Sequence, residues 1–244
     1  MGVFRLLVVF TVAAVIGVSL ARPSTEQMME VLLRYKQLCI NMSGSDEGYR
    51  ETLPAISEAR TCLFDRIDLP QMKLDASTLT ETSRKEFFDK YCPKFNESVS
   101  CLDGVFEGIS KCTGEEEEKM VPVYKAVAYG VVELLCENDG QFMFEIQKPE
   151  FMACVAQLKE IAEECRLSNE TQFVSLLRYG EDECHEAEKS KECVKERIET
   201  CNAPGVYHLY EVFYNKIMKF SNCDKYTKVV HLYDNNIDNA SSRD

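Results

Sequence analysis

Twelve cysteines stand behind a short apolar leader, and that combination commits the chain to an oxidising compartment in which thiols become cross-links. The leader spans 1–21. It carries one positive charge at Arg5, an apolar run over 6–20, and small residues at Ser19 and Ala21 that place a cleavage site before Arg22. Removing 21 of 244 residues leaves 223, enough for one core that buries well over half of the unfolded surface. The cross-links are therefore not needed merely for folding. Their role is durability, since closing a loop of a few tens of residues restricts the unfolded chain by roughly 3 to 4 kcal/mol. The even count predicts six disulfides made from Cys39, Cys62, Cys92, Cys101, Cys112, Cys136, Cys154, Cys165, Cys184, Cys193, Cys201 and Cys223.

Loss of the leader removes Arg5 and no acid, leaving 27 basic residues against 41 acidic ones. An excess of that size disfavours nucleic acid and anionic membrane surfaces as partners. No other apolar stretch approaches the roughly 20 residues of a membrane span, and 234–244 are polar, without the hydrophobic tail of a lipid-anchor signal. The sequence thus predicts a secreted chain without integral membrane association: one helical domain over 22–233, then a disordered polar tail. Four N-x-S/T sequons, at Asn41, Asn96, Asn169 and Asn239, are the expected glycan sites and mark surface positions.

Only 11 glycines and 7 prolines punctuate the chain, while apolar residues recur at three- and four-residue intervals. This predicts an all-α, disulfide-linked multi-helix bundle. Helices are expected over 24–40, where Met28, Val31, Leu32, Tyr35 and Cys39 share a face, and over 49–65 and 79–91. Pro93 is expected to interrupt the next stretch and restart it, and a helix then carries Cys101 and Cys112. The acidic run 115–118 suits the positive end of the following helix dipole better than a cation site. Over 120–136 that helix is apolar nearly all round and is the candidate for the most buried one. Asn138, Asp139 and Gly140 make a turn, Pro149 opens a helix ending near Cys165, and two more follow over 180–201 and 205–223.

The cysteines are themselves patterned. Cys101 and Cys112 are eleven residues apart, as are Cys154 and Cys165, which is three helical turns to within about 20°. Each pair shares a face with apolar residues between, Val105 and Ile109 in one helix, Leu158 and Ile161 in the other. Either the two stripes pack together and are stapled twice, or the spacing is coincidental. A second regularity is a possible internal repeat: Cys92-x8-Cys101-x10-Cys112-x23-Cys136 resembles Cys184-x8-Cys193-x7-Cys201-x21-Cys223. If each block is an antiparallel hairpin, its first and last cysteines meet, giving Cys92–Cys136 and Cys184–Cys223. The Val-Tyr pairs at 123–124 and 206–207 stand at unequal distances from the closing cysteines, so the repeat is inexact.

Chemistry-bearing constellations are absent. His185, His208 and His231 are scattered, and Lys189 stands where a zinc-protease motif begun at His185-Glu186 needs its second histidine. No nucleophile elbow, phosphate loop or dinucleotide fingerprint occurs. The stretch 234–239 imitates the start of a calcium loop, but Asn239 replaces the turn glycine. No catalytic, metal or cofactor residues are assigned, and no enzymatic activity is expected.

The leader, the acidic body, the many helices and the cysteine spacing from Tyr91-Cys92-Pro93 through Cys223 together resemble the insect 27 kDa haemolymph glycoproteins over nearly the full mature chain. The resemblance implies a secreted, glycosylated, helical protein of haemolymph or a related fluid, and it supplies no catalytic residues. Insect odorant-binding proteins are the natural comparison for a carrier, but their C-x3-C hallmark is absent: the closest pair, Cys193 and Cys201, has seven residues between. The expected function is binding, in its specific form carriage of an apolar small molecule lined by Val127, Val131, Leu134 and Leu135. The runner-up is a protein-interaction factor of humoral defence, saliva or reproductive fluid.

Overall fold

The computed structural model describes residues 25–80, 82–113, 117–165 and 179–226. Among them are ten α-helices and no strand: α1 (Thr25–Ser43), α2 (Glu47–Arg66), α3 (Leu69–Ser77), α4 (Arg84–Ser98), α5 (Asp103–Thr113), α6 (Glu117–Cys136), α7 (Gln141–Glu145), α8 (Pro149–Glu164), α9 (Glu181–Glu199) and α10 (Pro204–Met218). Single 3-10 turns, Val99–Leu102 and Asn222–Lys225, follow α4 and α10. The predicted leader and tail lie outside the described residues.

Helix boundaries follow local chemistry. Prolines open α8 and α10 at positions where the missing N–H has no helical partner to lose. Asp68 caps α3 by accepting a bond from the Gln71 amide at 3.0 Å. After α6 the chain reverses through Asn138, Asp139 and Gly140, all with positive φ. Glycine is required at the last of these, because a Cβ there would lie inside the Phe88 ring.

Two sequence expectations are corrected. The helix expected over 79–91 begins only at Arg84, because Thr80 and Ser83 form a local turn in which the Thr80 amide donates to Ser83 Oγ at 2.9 Å. Pro93 does not interrupt it; α4 runs through to Ser98. An interior proline costs an unsupported helix about 3 kcal/mol, but here the opposite face is held by buried Phe88 and Tyr91, and the adjacent Cys92 is bridged. Two short helices, α3 and α7, are additional to the predicted set.

The cysteines are all paired. Cys39–Cys112, Cys62–Cys101 and Cys92–Cys136 lie in the first half; Cys154–Cys201, Cys165–Cys193 and Cys184–Cys223 lie in the second. Both hairpin closures predicted from the repeat are present. The two eleven-residue stripes, by contrast, are not stapled to each other. Cys101 and Cys112 bond back to α2 and α1, while Cys154 and Cys165 bond forward to Cys201 and Cys193. In the second set antiparallel packing explains this, since Cys154 and Cys165 meet Cys201 and Cys193 in reverse order; in the first set Cys39 and Cys62 stand on separate helices, α1 and α2.

The closest helix contact joins α2 and α5. Gly48 and Thr52 face Gly108 and Cys112, and a Cβ built on Gly108 would lie 2.8 Å from the Thr52 nitrogen and 2.9 Å from its Cα. Backbone, not a flexible side chain, blocks that space. Beyond this pair lies α6, apolar on two sides. Met120, Tyr124, Ala128 and Val132, four residues apart, pack with Tyr35, Cys39, Phe106 and Ile109. Val127, Val131, Leu134 and Leu135 pack in a second core with Phe151, Ile161, Val194, Ile198, Val206 and Phe213.

Gly108→Ala is expected to lower stability by about 1 to 3 kcal/mol through overpacking. Gly104→Ala, one turn earlier, meets only the Ala55 Cβ at an ordinary 3.4 Å. It should be neutral or stabilising by up to about 1 kcal/mol, as replacing a helical glycine usually is. Denaturant midpoints with disulfides intact compare the two; equal losses would contradict the close α2–α5 contact.

Candidate functional site

The four positions predicted to line an apolar site are nearly sealed from solvent: Val127 is 7%, Val131 3%, Leu134 3% and Leu135 2% exposed. Side chains from α8, α9 and α10 cover them. The apolar surface of α6 beyond one core's needs is thus taken up by a second core.

On the other side of α6 sits a small buried polar group. The Thr52 hydroxyl donates to the Gly48 carbonyl at 2.7 Å, so its oxygen is left to accept from Tyr35 Oη at 2.8 Å. The Cys112 sulfur lies 3.2 Å from the same tyrosine oxygen. Burial pushes the Tyr35 hydroxyl up to about 12 against the opposing effect of the Thr52 bond. Tyr124, 2% exposed, has a hydroxyl with no hydrogen-bond partner, and burial followed by the proximity of Tyr35 drives it upward as well. Tyr210 Oη is likewise buried and unpartnered.

Where α6 meets α10 the helices run antiparallel. Lys216 Nζ donates to Glu133 Oε2 at 2.8 Å, and Glu137 lies 3.6 Å from His208 one end further along. Tyr207, Tyr210 and Tyr214 form a ladder on α10, with ring centroids 6.2 and 6.0 Å apart. Lys195 and Lys191 stand over its two ends, 5.8 and 4.9 Å from the ring centres. A shallow groove of about 450 Å³ lies between α8 and α9, lined by Gln157, Glu160, Ile161, Glu164, Arg197 and Thr200. The Arg197–Glu164 ion pair at 3.1 Å closes one part of it. Among the described residues no group of three or more His, Cys, Asp or Glu is placed to hold a metal ion. His185 is exposed on α9 and His231 lies outside the described residues.

The outer surface carries a feature the sequence reasoning missed. Met29, Leu33 and Ile40 are 54%, 58% and 37% exposed on α1. At 100° per residue they fall within about 40° of one another, roughly 120° round the helix from the buried Tyr35 and Cys39. The pattern of α1 holds two apolar stripes, of which the one containing Cys39 is the buried one. Asn41 and Asn96 are both exposed. Asn41 Oδ1 accepts from Gln37 Nε2 at 2.8 Å, and the sequon serine Ser98 is buried, its hydroxyl donating to the Lys94 carbonyl at 2.6 Å. Asn169 and Asn239 lie outside the described residues.

A family model described as protein of unknown function, DUF1397, matches residues 25–223, from the first residue of α1 to the last cysteine. The chain belongs to this family. It is also similar to the 27 kDa glycoprotein of Bombyx mori, 20% identical over 186 residues, which is 74% of this chain and 82% of that protein. The resemblance to the insect 27 kDa glycoproteins drawn from the sequence therefore holds. No solved structure matches the chain. The DUF1397 match encloses all twelve cysteines, so the bridged helical body and the family region coincide.

Two measurements probe the buried tyrosines. Tyr124→Phe removes an unsatisfied hydroxyl and should stabilise by about 1 kcal/mol, whereas Tyr35→Phe should destabilise by a similar amount through loss of the Thr52 bond. In alkali the sign follows from the raised folded value. Below pH 10 both folded and unfolded Tyr35 hold the proton and its contribution is whole. As pH rises from 10 toward 12 the unfolded chain ionises first and stability falls. Denaturant midpoints across that interval should drop, and a smaller drop is expected for Tyr35→Phe.

Proposed function

We propose that this member of the DUF1397 family is a secreted glycoprotein that acts by binding a protein partner at its surface and catalyses no reaction. The leader, the fully paired cysteines, the exposed sequon asparagines Asn41 and Asn96, and the kinship with a glycoprotein support the extracellular part. No described helix is long and apolar enough to cross a membrane.

The observation that carries the binding mode is the contrast between α6 and α1. Around Val131 the apolar side chains are buried against one another in a core, and protein interiors are normally close-packed. On α1, Met29 and Leu33 are more than half exposed. Apolar surface that serves no core of its own chain is what a binding surface uses. Carriage of an apolar small molecule, which needs room beside α6, is the competing outcome of the test.

The protein purified from a secreting eukaryotic cell should begin at Arg22, lose mass on enzymatic deglycosylation, and yield no stoichiometric lipid on solvent extraction. Val131→Trp should destabilise it by about 1 to 3 kcal/mol, because inserted bulk strains a filled core. Recovery of one lipid per chain, lost in a well-folded Val131→Trp, would establish the carrier instead. Native mass spectrometry of the protein in its own body fluid should show a protein complex that Leu33→Glu dissolves without loss of stability.

A further inference from the structure

The geometry points to a tandem duplication: residues 39–136 and 154–223 are two copies of one module of three helical rods and three cystines. Numbered in order within each half, the cysteines pair first with fifth, second with fourth, and third with sixth in both. Six cysteines allow about 15 pairings and twelve allow roughly ten thousand, so two self-contained halves of identical order arise by chance about once in 700.

The rods correspond as well as the bridges. Rod A carries the first two cysteines, on α1 and α2 in one copy and on α8 in the other. Rod B carries the next three. It is the unbroken run 84–113 in the first copy, and α9 with the turn to Cys201 in the second, with eight residues between its first two cysteines in both. Rod C, α6 or α10, has a proline and a Val-Tyr pair near its start: Pro122, Val123 and Tyr124, or Pro204, Val206 and Tyr207. Both valines are buried, at 1% and 2%. Within each copy the helix bearing the second cysteine, α2 or α8, is antiparallel to rod B, and B to C. In the first copy α1 folds back over the start of α2, Tyr35 Oη meeting Thr52 Oγ1 at 2.8 Å and Lys36 meeting Asp46 at 3.4 Å. A and B are joined by two nested rungs, and the start of B is tied to the far end of C. The copies differ chiefly in rod A, which is split into two helices in the first and continuous in the second. They meet through their equivalent C rods, where Glu133 pairs with Lys216.

Because no cystine joins the copies, the main chain is their sole covalent link. A protease site inserted between the exposed Gln147 and Lys148 tests this in the full chain with disulfides intact. The cut protein should stay together in native buffer, held by α6 in the second core, and come fully apart in denaturant without reductant. Peptide mapping should then find the same bridge order in each fragment. Fragments still joined, or bridged in two different orders, would overturn the duplication. Removal of the equivalent outer rungs, by Cys39→Ala with Cys112→Ala or by Cys154→Ala with Cys201→Ala, gives a second measure. Hydrogen exchange should quicken at least tenfold in rods A and B of the altered copy alone; equal quickening in both copies would refute the equivalence.

Discussion

The fold depends on α6 being dry on two sides at once. Most helices of a globular protein bury one stripe and give the rest to water. Here Tyr124, Ala128 and Val132 point into one core, while Val127, Val131 and Leu134 point into another. Each large aliphatic side chain so buried contributes about 1.5 to 3 kcal/mol, and those on α6 contribute to both halves through one backbone. That is why a helix in the middle of the chain is apolar on two faces, and how the two halves are joined by packing with no cystine between them.

Covalent and packing constraints divide the work elsewhere. Bridges fix which helices are neighbours; glycines fix how close they come, as at Gly108 against Thr52. Inside this frame the polar exceptions are few and specific. The Tyr124 hydroxyl is buried without a partner beside a Tyr35–Thr52 pair that is satisfied. Such a group costs the native state free energy that an apolar ring would not, so the interior is not optimised for stability alone. The exposed stripe of α1 is the corresponding exception outside.

Much of this was legible in the residues. Pro149 announced a helix start, Asn138 to Gly140 a reversal, and the spacing Cys92 to Cys136 and Cys184 to Cys223 the closure of two antiparallel hairpins. The apolar circumference of α6 was legible as burial but not as to what buries it, since a filled second core and a ligand cavity ask for the same side chains. The eleven-residue spacing of Cys101 and Cys112 presumes one α-helix, whereas Cys101 lies in the 3-10 turn Val99–Leu102 ahead of α5, and the spacing says nothing of the partner, which is set by helix direction in three dimensions. Pro93 departs from expectation because the tertiary contacts of Phe88 and Tyr91 and the Cys92 bridge outweigh local backbone chemistry. The second stripe on α1 is not legible because methionines and leucines outside the dominant period look like filler.

The separation of the cystines into two closed sets bears on how the chain is made. Synthesis delivers the N-terminal half first, and domains fold as they emerge. The sixth cysteine, Cys136, precedes the seventh, Cys154, by 18 positions in the chain. All partners of the first set therefore precede every thiol of the second set in order of synthesis. A search among roughly ten thousand pairings becomes two successive searches among about 15 each. The linear order of the cysteines thus carries part of the information that selects their partners.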